Sequence, residues 1–170
     1  DSNHGKGITV NVNTLEDAKK AFESAKKYSR SIIIEKSLEG KDFRALVINN
    51  KLIAVAERTP ACVVGDGKST IKSLINHINK DHRRGYGHEK ILTQITVDNM
   101  THKILELKGY TIETVLKKDE ICILKSTANI STGGTAIDRT DEVHPDNIFI
   151  FERIAQIIGL DIAGIDVIAP

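Results

Sequence analysis

Two apolar runs, Phe43 to Ile48 and Leu52 to Ala56, stand either side of the pair Asn49-Asn50. Asparagine tolerates the left-handed backbone that a two-residue hairpin turn requires, so this stretch predicts an antiparallel hairpin. That feature alone excludes an all-helical chain and a purely parallel sheet. A hairpin needs something to cover its apolar face, and the sequence offers amphipathic segments. Leu15, Ala18, Ala21, Phe22 and Ala25 make a helical stripe behind Thr14, with Asp17 three residues on in the manner of a capping box. Ser69 to Ile78 reads as a second helix, and His102 to Leu107 as a weak helix or strand. Asn147 to Ile158 reads as another helix, capped by Asp146 and stopped by Gly159, with its apolar face at Ile150, Ile154, Ile157 and Ile158. Further strands are expected at Ile32 to Ile34, where a buried one is read, at Ile121 to Leu124 and at Ile162 to Ile168.

Composition narrows the possible functions. Aromatic residues are 4 % with no tryptophan, so Ile, Leu and Val must fill the core, and a base-stacking platform is disfavoured. The net charge of +1 creates no long-range field for nucleic acid or an anionic membrane. No apolar run reaches the roughly 18 residues that a bilayer span needs, and no apolar signal region opens the chain. Cys62 and Cys122 lack metal-ligand spacing and sit in apolar runs, which reads as reduced, buried thiols of a cytoplasmic protein. The six histidines show no zinc-like spacing. The 170 residues suit one domain or two small lobes.

Several segments carry chemistry. Asn3-His4-Gly5-Lys6-Gly7 is a glycine loop with a cation, suited either to polyphosphate or to a plain surface turn. Gly65 to Thr70 looks like the end of a Walker loop, but Cys62 stands where that loop needs its first glycine, so a turn and a helix start are expected instead. His82-Arg83-Arg84-Gly85-Tyr86-Gly87-His88 reads as a basic loop reaching toward an acidic substrate, as a solvated loop, or as a short nucleic-acid patch. Glu35 to Asp42 places three carboxylates around one strand-end turn. The polar stretch Ser126 to Asp146 is too long for a plain connector. Asp166 lies in an otherwise apolar strand, where a carboxylate must face a partner, a cavity or a metal. The loop so near the first residue and the strand ending at Pro170 lead us to expect a piece of a larger protein.

Taken in order, seven segments resemble one family. They are Asp1 to Gly7, Glu35 to Asp42, Arg58 to Gly67, Arg83 to Lys90, Thr127 to Asp138, Thr140 to Pro145 and Ala163 to Val167. Together they resemble the ATP-grasp domain of cyanophycin synthetase, with the ATP-grasp half of bifunctional glutathione synthetases as a sister group. His4-Gly5-Lys6, where the sister group usually has an aromatic before the glycine, and Thr135-Ala136 favour the cyanophycin side. The resemblance implies an α+β, ATP-grasp fold. Residues 1–58 would form the small nucleotide-covering lobe and residues 59–170 part of the larger lobe, truncated at both ends.

The same resemblance implies roles for residues. Asn3, His4, Gly5, Lys6 and Gly7 would form the lid over the triphosphate. Glu35, Lys36 and Leu38 would hold adenine, Asp42 the ribose, and Asp166 a magnesium ion as the first of the family's acidic ligands. ATP and Mg2+ are thus the expected cofactors. The reaction implied is phosphorylation of a carboxylate by MgATP, then attack of an amine on the acyl phosphate, with Lys6 as a phosphate cation and His88 as the base that takes the amine proton. Arg83, Arg84 and Lys125 would grip an acidic peptide or polymer end, and backbone amides of Ser131, Thr132, Gly133 and Gly134 would meet a carboxylate or acyl phosphate. The expected partners are an amino acid and that acidic chain, with no nucleic acid and no membrane. Aspartate addition to a poly-aspartate backbone is the reading favoured, and the 170 residues alone are expected to be inactive. A glutathione-type ligase and a non-catalytic nucleotide-binding module remain the alternatives.

Overall fold

The structure is a computed structural model that describes residues 7–10, 12–36, 38–87 and 89–170. The chain forms two compact units that divide between Glu39 and Gly40. This division precedes the hairpin, whereas the lobe boundary read from the sequence follows it at residue 58.

In the first unit, helix α1 (Leu15–Lys26) starts as expected, with the Thr14 hydroxyl accepting the Asp17 N–H at 3.1 Å and donating to the Asp17 carboxylate at 2.6 Å. Gly7 has φ +76°, and a Cβ there would lie 2.8 Å from the Tyr28 ring, so only glycine fits without strain. Ile32 to Ile34 is not a strand, and Ile33 and Ile34 are exposed. Strand propensity reflects the fit of a side chain to a pleated, half-buried surface. No described strand pairs with these isoleucines to supply one.

The second unit is built on a four-stranded antiparallel sheet in the order β7-β2-β1-β8. Strands β1 (Lys41–Ile48) and β2 (Lys51–Thr59) are the expected hairpin, turning through Asn49 at φ 49° and Asn50 at φ 61°. β8 (Ile162–Ala169) flanks β1, and β7 (Thr135–Asp138) flanks β2. The β7 strand emerges from the long polar stretch, in which no strand is expected from sequence.

One face of this sheet carries Ala45, Val47, Val55 and Ala163, and helix α4 (Pro145–Ile158) covers it with Phe151 and Ala155. The apolar face of α4 is therefore not the predicted one. Ile150, Ile157 and Ile158 are exposed. The apolar residues of α4 span about half its circumference, and the sheet accepts the ridge where Phe151 and Ala155 alternate large with small. Its cap also differs from expectation: His144, two residues before Asp146, is the cap, and its Nδ1 accepts the Asp146 N–H.

A second core lies in residues 61–124, where β3 (Cys62–Val64) pairs with β6 (Ile121–Ile123). Val63 and Cys122 on these strands pack with Ile71 and Ile75 of α2 (Ile71–Ile78) and Leu105 of α3 (Asn99–Leu107). Ile95, Leu116 and Leu124 complete it, all aliphatic as composition requires. Cys62 faces Ile123 and Cys122 faces Val63 across the ladder, so the two thiols point to opposite faces and both are free. A two-residue parallel pair, β4 (Arg84–Gly85) with β5 (Leu92–Thr93), closes this part.

Candidate functional site

The sheet face away from α4 is charged and open, as alternation along its strands dictates. Residues directly opposite across a ladder share a face, and the register places Asp42 opposite Arg58 and Arg44 opposite Asp166. The side chains meet accordingly. Arg58 reaches Asp42 Oδ1 with both Nε at 2.6 Å and Nη2 at 2.5 Å, and Nη2 also lies 2.9 Å from Asp166 Oδ1. Arg44 Nη1 donates to the same Asp166 oxygen at 2.7 Å. The closest guanidinium contacts to Asp166 both fall on Oδ1, and its side chain is 60 % exposed. Burial would raise the Asp166 pKa, but the Arg44 and Arg58 guanidinium groups outweigh it and hold the carboxyl below its usual range.

Beside this face runs a groove of about 620 Å³, lined in part by Asp42, Arg58, Thr59, Ser126, Thr127 and Asn129. Its wall includes Glu57, which is paired to Lys41 Nζ at 3.2 Å and to Arg139 Nε at 3.0 Å. The Lys41 hydrogen bond is the main reason its carboxyl titrates lower than usual.

The predicted substrate-gripping residues sit elsewhere and are engaged. Arg83 is exposed, and its guanidinium is forked onto Asp81 at 2.7 to 3.1 Å. Arg84 is 6 % exposed and donates to the carbonyls of Thr93 at 2.6 Å and Gly133 at 3.0 Å. It fastens the parallel pair to the Ser131–Gly134 turn instead of meeting solvent. Lys125 is 5 % exposed and pairs with Asp98 at 2.6 Å. In the turn, the N–H groups of Thr132 and Gly134 go to the Asn129 carbonyl and that of Gly133 to Ile130, so these three amides are not available to a carboxylate.

The Lys125–Asp98 pair has a testable signature. Burial pushes the Asp98 carboxyl up, yet the Lys125 ammonium and the Thr101 donors override it and bring it down from 3.8 to about 2. A carboxyl depressed on folding contributes stability that is complete above its unfolded value and lost as pH falls through the folded one. We expect that contribution to disappear between pH 3.8 and about 2. Melting temperatures recorded across that window should fall less for Lys125→Met than for the unsubstituted protein.

The phosphate-loop reading of Gly65 to Thr70 is excluded by its hydrogen bonds. Asp66 itself accepts the N–H groups of Lys68 and Ser69, at 2.8 and 2.7 Å, and the Ser69 hydroxyl. At the start of α2, Ile71 and Lys72 donate to the carbonyls of Thr114 and Ile112, and Ser73 to Thr70. A phosphate would find no free amides at these positions.

Asn3, His4, Gly5, Lys6 and His88 lie outside the described residues. Glu35, Lys36 and Leu38 belong to the first unit and are exposed, and Asp42 to the second. Arg44 and Arg58 were given no role from sequence. The signal that would have found them is the period-2 pattern of the hairpin, which puts both beside Asp42 on its polar face. Among the described residues no three His, Cys, Asp or Glu side chains gather to hold a metal, and no helix is long and apolar enough to cross a membrane.

No family model matches the chain. It is 55 % identical over 170 residues to a cyanophycin synthetase from Synechocystis sp., covering 99 % of this chain and 20 % of the relative. A cyanophycin synthetase from Trichormus variabilis is 53 % identical over 168 residues, covering 99 % and 19 %. A glutathione biosynthesis bifunctional protein from Listeria monocytogenes is 39 % identical over 173 residues, covering 99 % and 22 %. The crystal structure of a bifunctional glutathione synthetase from Pasteurella multocida superposes with a TM-score of 0.69 at 34 % identity, over 100 % of this chain and 23 % of that one. The chain thus spans about a fifth of the length of the curated relatives it matches. The resemblance read from the seven segments is borne out, with the cyanophycin side ahead of the glutathione side, and the fold is α+β and ATP-grasp.

Proposed function

We propose that this ATP-grasp chain, similar throughout to one segment of cyanophycin synthetases, serves as part of an ATP-dependent carboxylate–amine ligase. The observation that carries this reading is the juxtaposition of Asp42 and Asp166 on one open sheet face, joined through Arg58 and bordering a groove. In this reading Glu35, Lys36 and Leu38 hold the adenine, Asp42 takes the ribose hydroxyls, and the loop Asn3 to Gly7, with Lys6, covers the phosphates. Residues 1–39 then belong to the small lobe, and the sheet with its charged face to the larger one.

Mg2+ takes oxygen ligands, one or two carboxylates beside substrate phosphates and water. Asp166 fits that demand as a carboxylate that is 60 % exposed on the open sheet face. Bound there, Mg2+ would neutralise charge on the phosphates during transfer.

The chemistry is a pair of displacements. A substrate carboxylate oxygen attacks the γ-phosphorus and ADP leaves. An amine nitrogen then attacks the acyl carbon, phosphate leaves, and the amine proton passes to a base, for which His88 is the proposed group. The chain's described residues contribute position and charge. Asp42 and Asp166 lie within reach of one guanidinium, and Arg44 adds a cation beside them where negative charge collects. The acceptor is proposed to be the end of an acidic peptide or polymer, with aspartate as the incoming amine. Arg83 is the exposed cation proposed to meet it, in exchange for its Asp81 partner.

The test is amino-acid-dependent phosphate release by the full-length protein carrying this chain, given ATP, Mg2+ and a poly-aspartate-backbone primer. Release with aspartate supports backbone elongation. Release only with γ-glutamylcysteine and glycine, the primer being ignored, moves the chain to the glutathione branch. No release with either set refutes the ligase reading.

A further inference from the structure

Arg58 stands at the centre of the charged face, and its geometry is unequal on the two sides. Toward Asp42 it makes two short contacts to one oxygen, at 2.6 and 2.5 Å, and toward Asp166 one longer contact at 2.9 Å. Its side chain is 18 % exposed, and that of Asp166 60 %. The guanidinium thus engages Asp42 through two nitrogens and Asp166 through one. Register explains the asymmetry: Asp42 is directly opposite Arg58, whereas Asp166 is a diagonal neighbour two strands away.

A divalent cation arriving at Asp166 meets two guanidinium nitrogens that lie within 3 Å of its Oδ1. Like charges that close oppose binding even in a solvated setting. We propose that Arg58 is a resident counter-cation of this face. It holds Asp42 and Asp166 together when no metal is bound, yields its Asp166 contact when one arrives while keeping its grip on Asp42, and so sets the metal affinity of the site. This inference rests on the reading of Asp166 as a metal ligand. Arg58 is a positioning residue here, acting on the metal through the carboxylate and the charge it presents. Arg44 shares the Asp166 oxygen but has no second carboxylate to retreat to, so it does not serve as the same device.

The experiment is Mn2+ binding, followed by electron paramagnetic resonance, to the nucleotide-free full-length protein. Arg58→Gln keeps a polar, though shorter, side chain and removes the charge, and we expect it to bind Mn2+ about tenfold more tightly. Arg58→Lys retains the charge and is expected to stay close to the unsubstituted protein. Asp166→Asn is expected to weaken binding. Unchanged or weaker binding by Arg58→Gln, in a protein with an undisturbed melting temperature, overturns the proposal. So does a Lys variant that behaves like the Gln variant, because charge would then not be the cause. Should Arg58→Gln fail to fold, Arg58→Met makes the same measurement. Mn2+ binding that Asp166→Asn leaves untouched overturns the metal reading itself, and the proposal with it, a result distinct from failure at Arg58 alone.

Discussion

Asp166→Asn is expected to lower the ligase turnover of the full-length protein by about 10² to 10³-fold while leaving its melting temperature nearly unchanged. The two halves of this expectation have different sources. Turnover falls because the amide offers a weaker, neutral oxygen to a hard cation, and stabilisation of the transferring phosphoryl group depends on that cation. Stability barely moves because the Asp166 side chain is 60 % exposed. Solvent-screened ion pairs of this kind contribute about 0 to 1 kcal/mol. Steady-state kinetics beside a thermal melt checks both. A fall in melting temperature to match the lost turnover would mean that Asp166 holds the sheet together and has no direct part in chemistry.

Gly65→Ala is expected to destabilise the part of the molecule built on residues 61–124, by about 3 kcal/mol. A Cβ at Gly65 would sit 2.1 Å from the Lys117 carbonyl oxygen and 2.7 Å from Leu116 Cβ. Neither neighbour can withdraw cheaply. The first is backbone, in a turn where Gly65 donates to the Glu120 carbonyl and accepts from the Asp119 N–H. The second belongs to a leucine that is 2 % exposed in the core. Denaturant unfolding followed by circular dichroism measures the loss, and a variant within 1 kcal/mol of the parent would mean that the turn relaxes freely.

The elements most legible in the sequence are those whose cause is local. Asn49-Asn50 encodes its own turn, Thr14 with Asp17 its own helix start, and Gly159 with φ +74° its own helix stop. Of the elements that depend on distant partners, β6 and β8 were also read correctly, and two features were not. Ile32 to Ile34 has the composition of a strand, but no described strand pairs with it. In α4 a broad apolar arc left the buried ridge to be chosen by the sheet.

The site divides along the same line. Asp166 was recognisable as a carboxylate in need of a partner and Asp42 only through the resemblance, and the structure brings both to one guanidinium. Arg84 was misread because its acceptors, Thr93 and Gly133, lie 9 and 49 residues away in sequence. A basic run looks solvated until such carbonyls are placed around it. Its neighbour Arg83 finds a partner two residues back and stays on the surface, so adjacent arginines take opposite fates.

The second unit carries two cores with no buried residue in common, one beneath the charged sheet face and one within residues 61–124. Mutational drift can therefore act on them separately. In the proposed ligase, the sheet and α4 keep the carboxylates that handle nucleotide and metal. The 61–124 core supports the basic loop and the Arg84-fastened turn. Such a division implies that substitutions in the 61–124 core leave the packing between the sheet and α4 undisturbed.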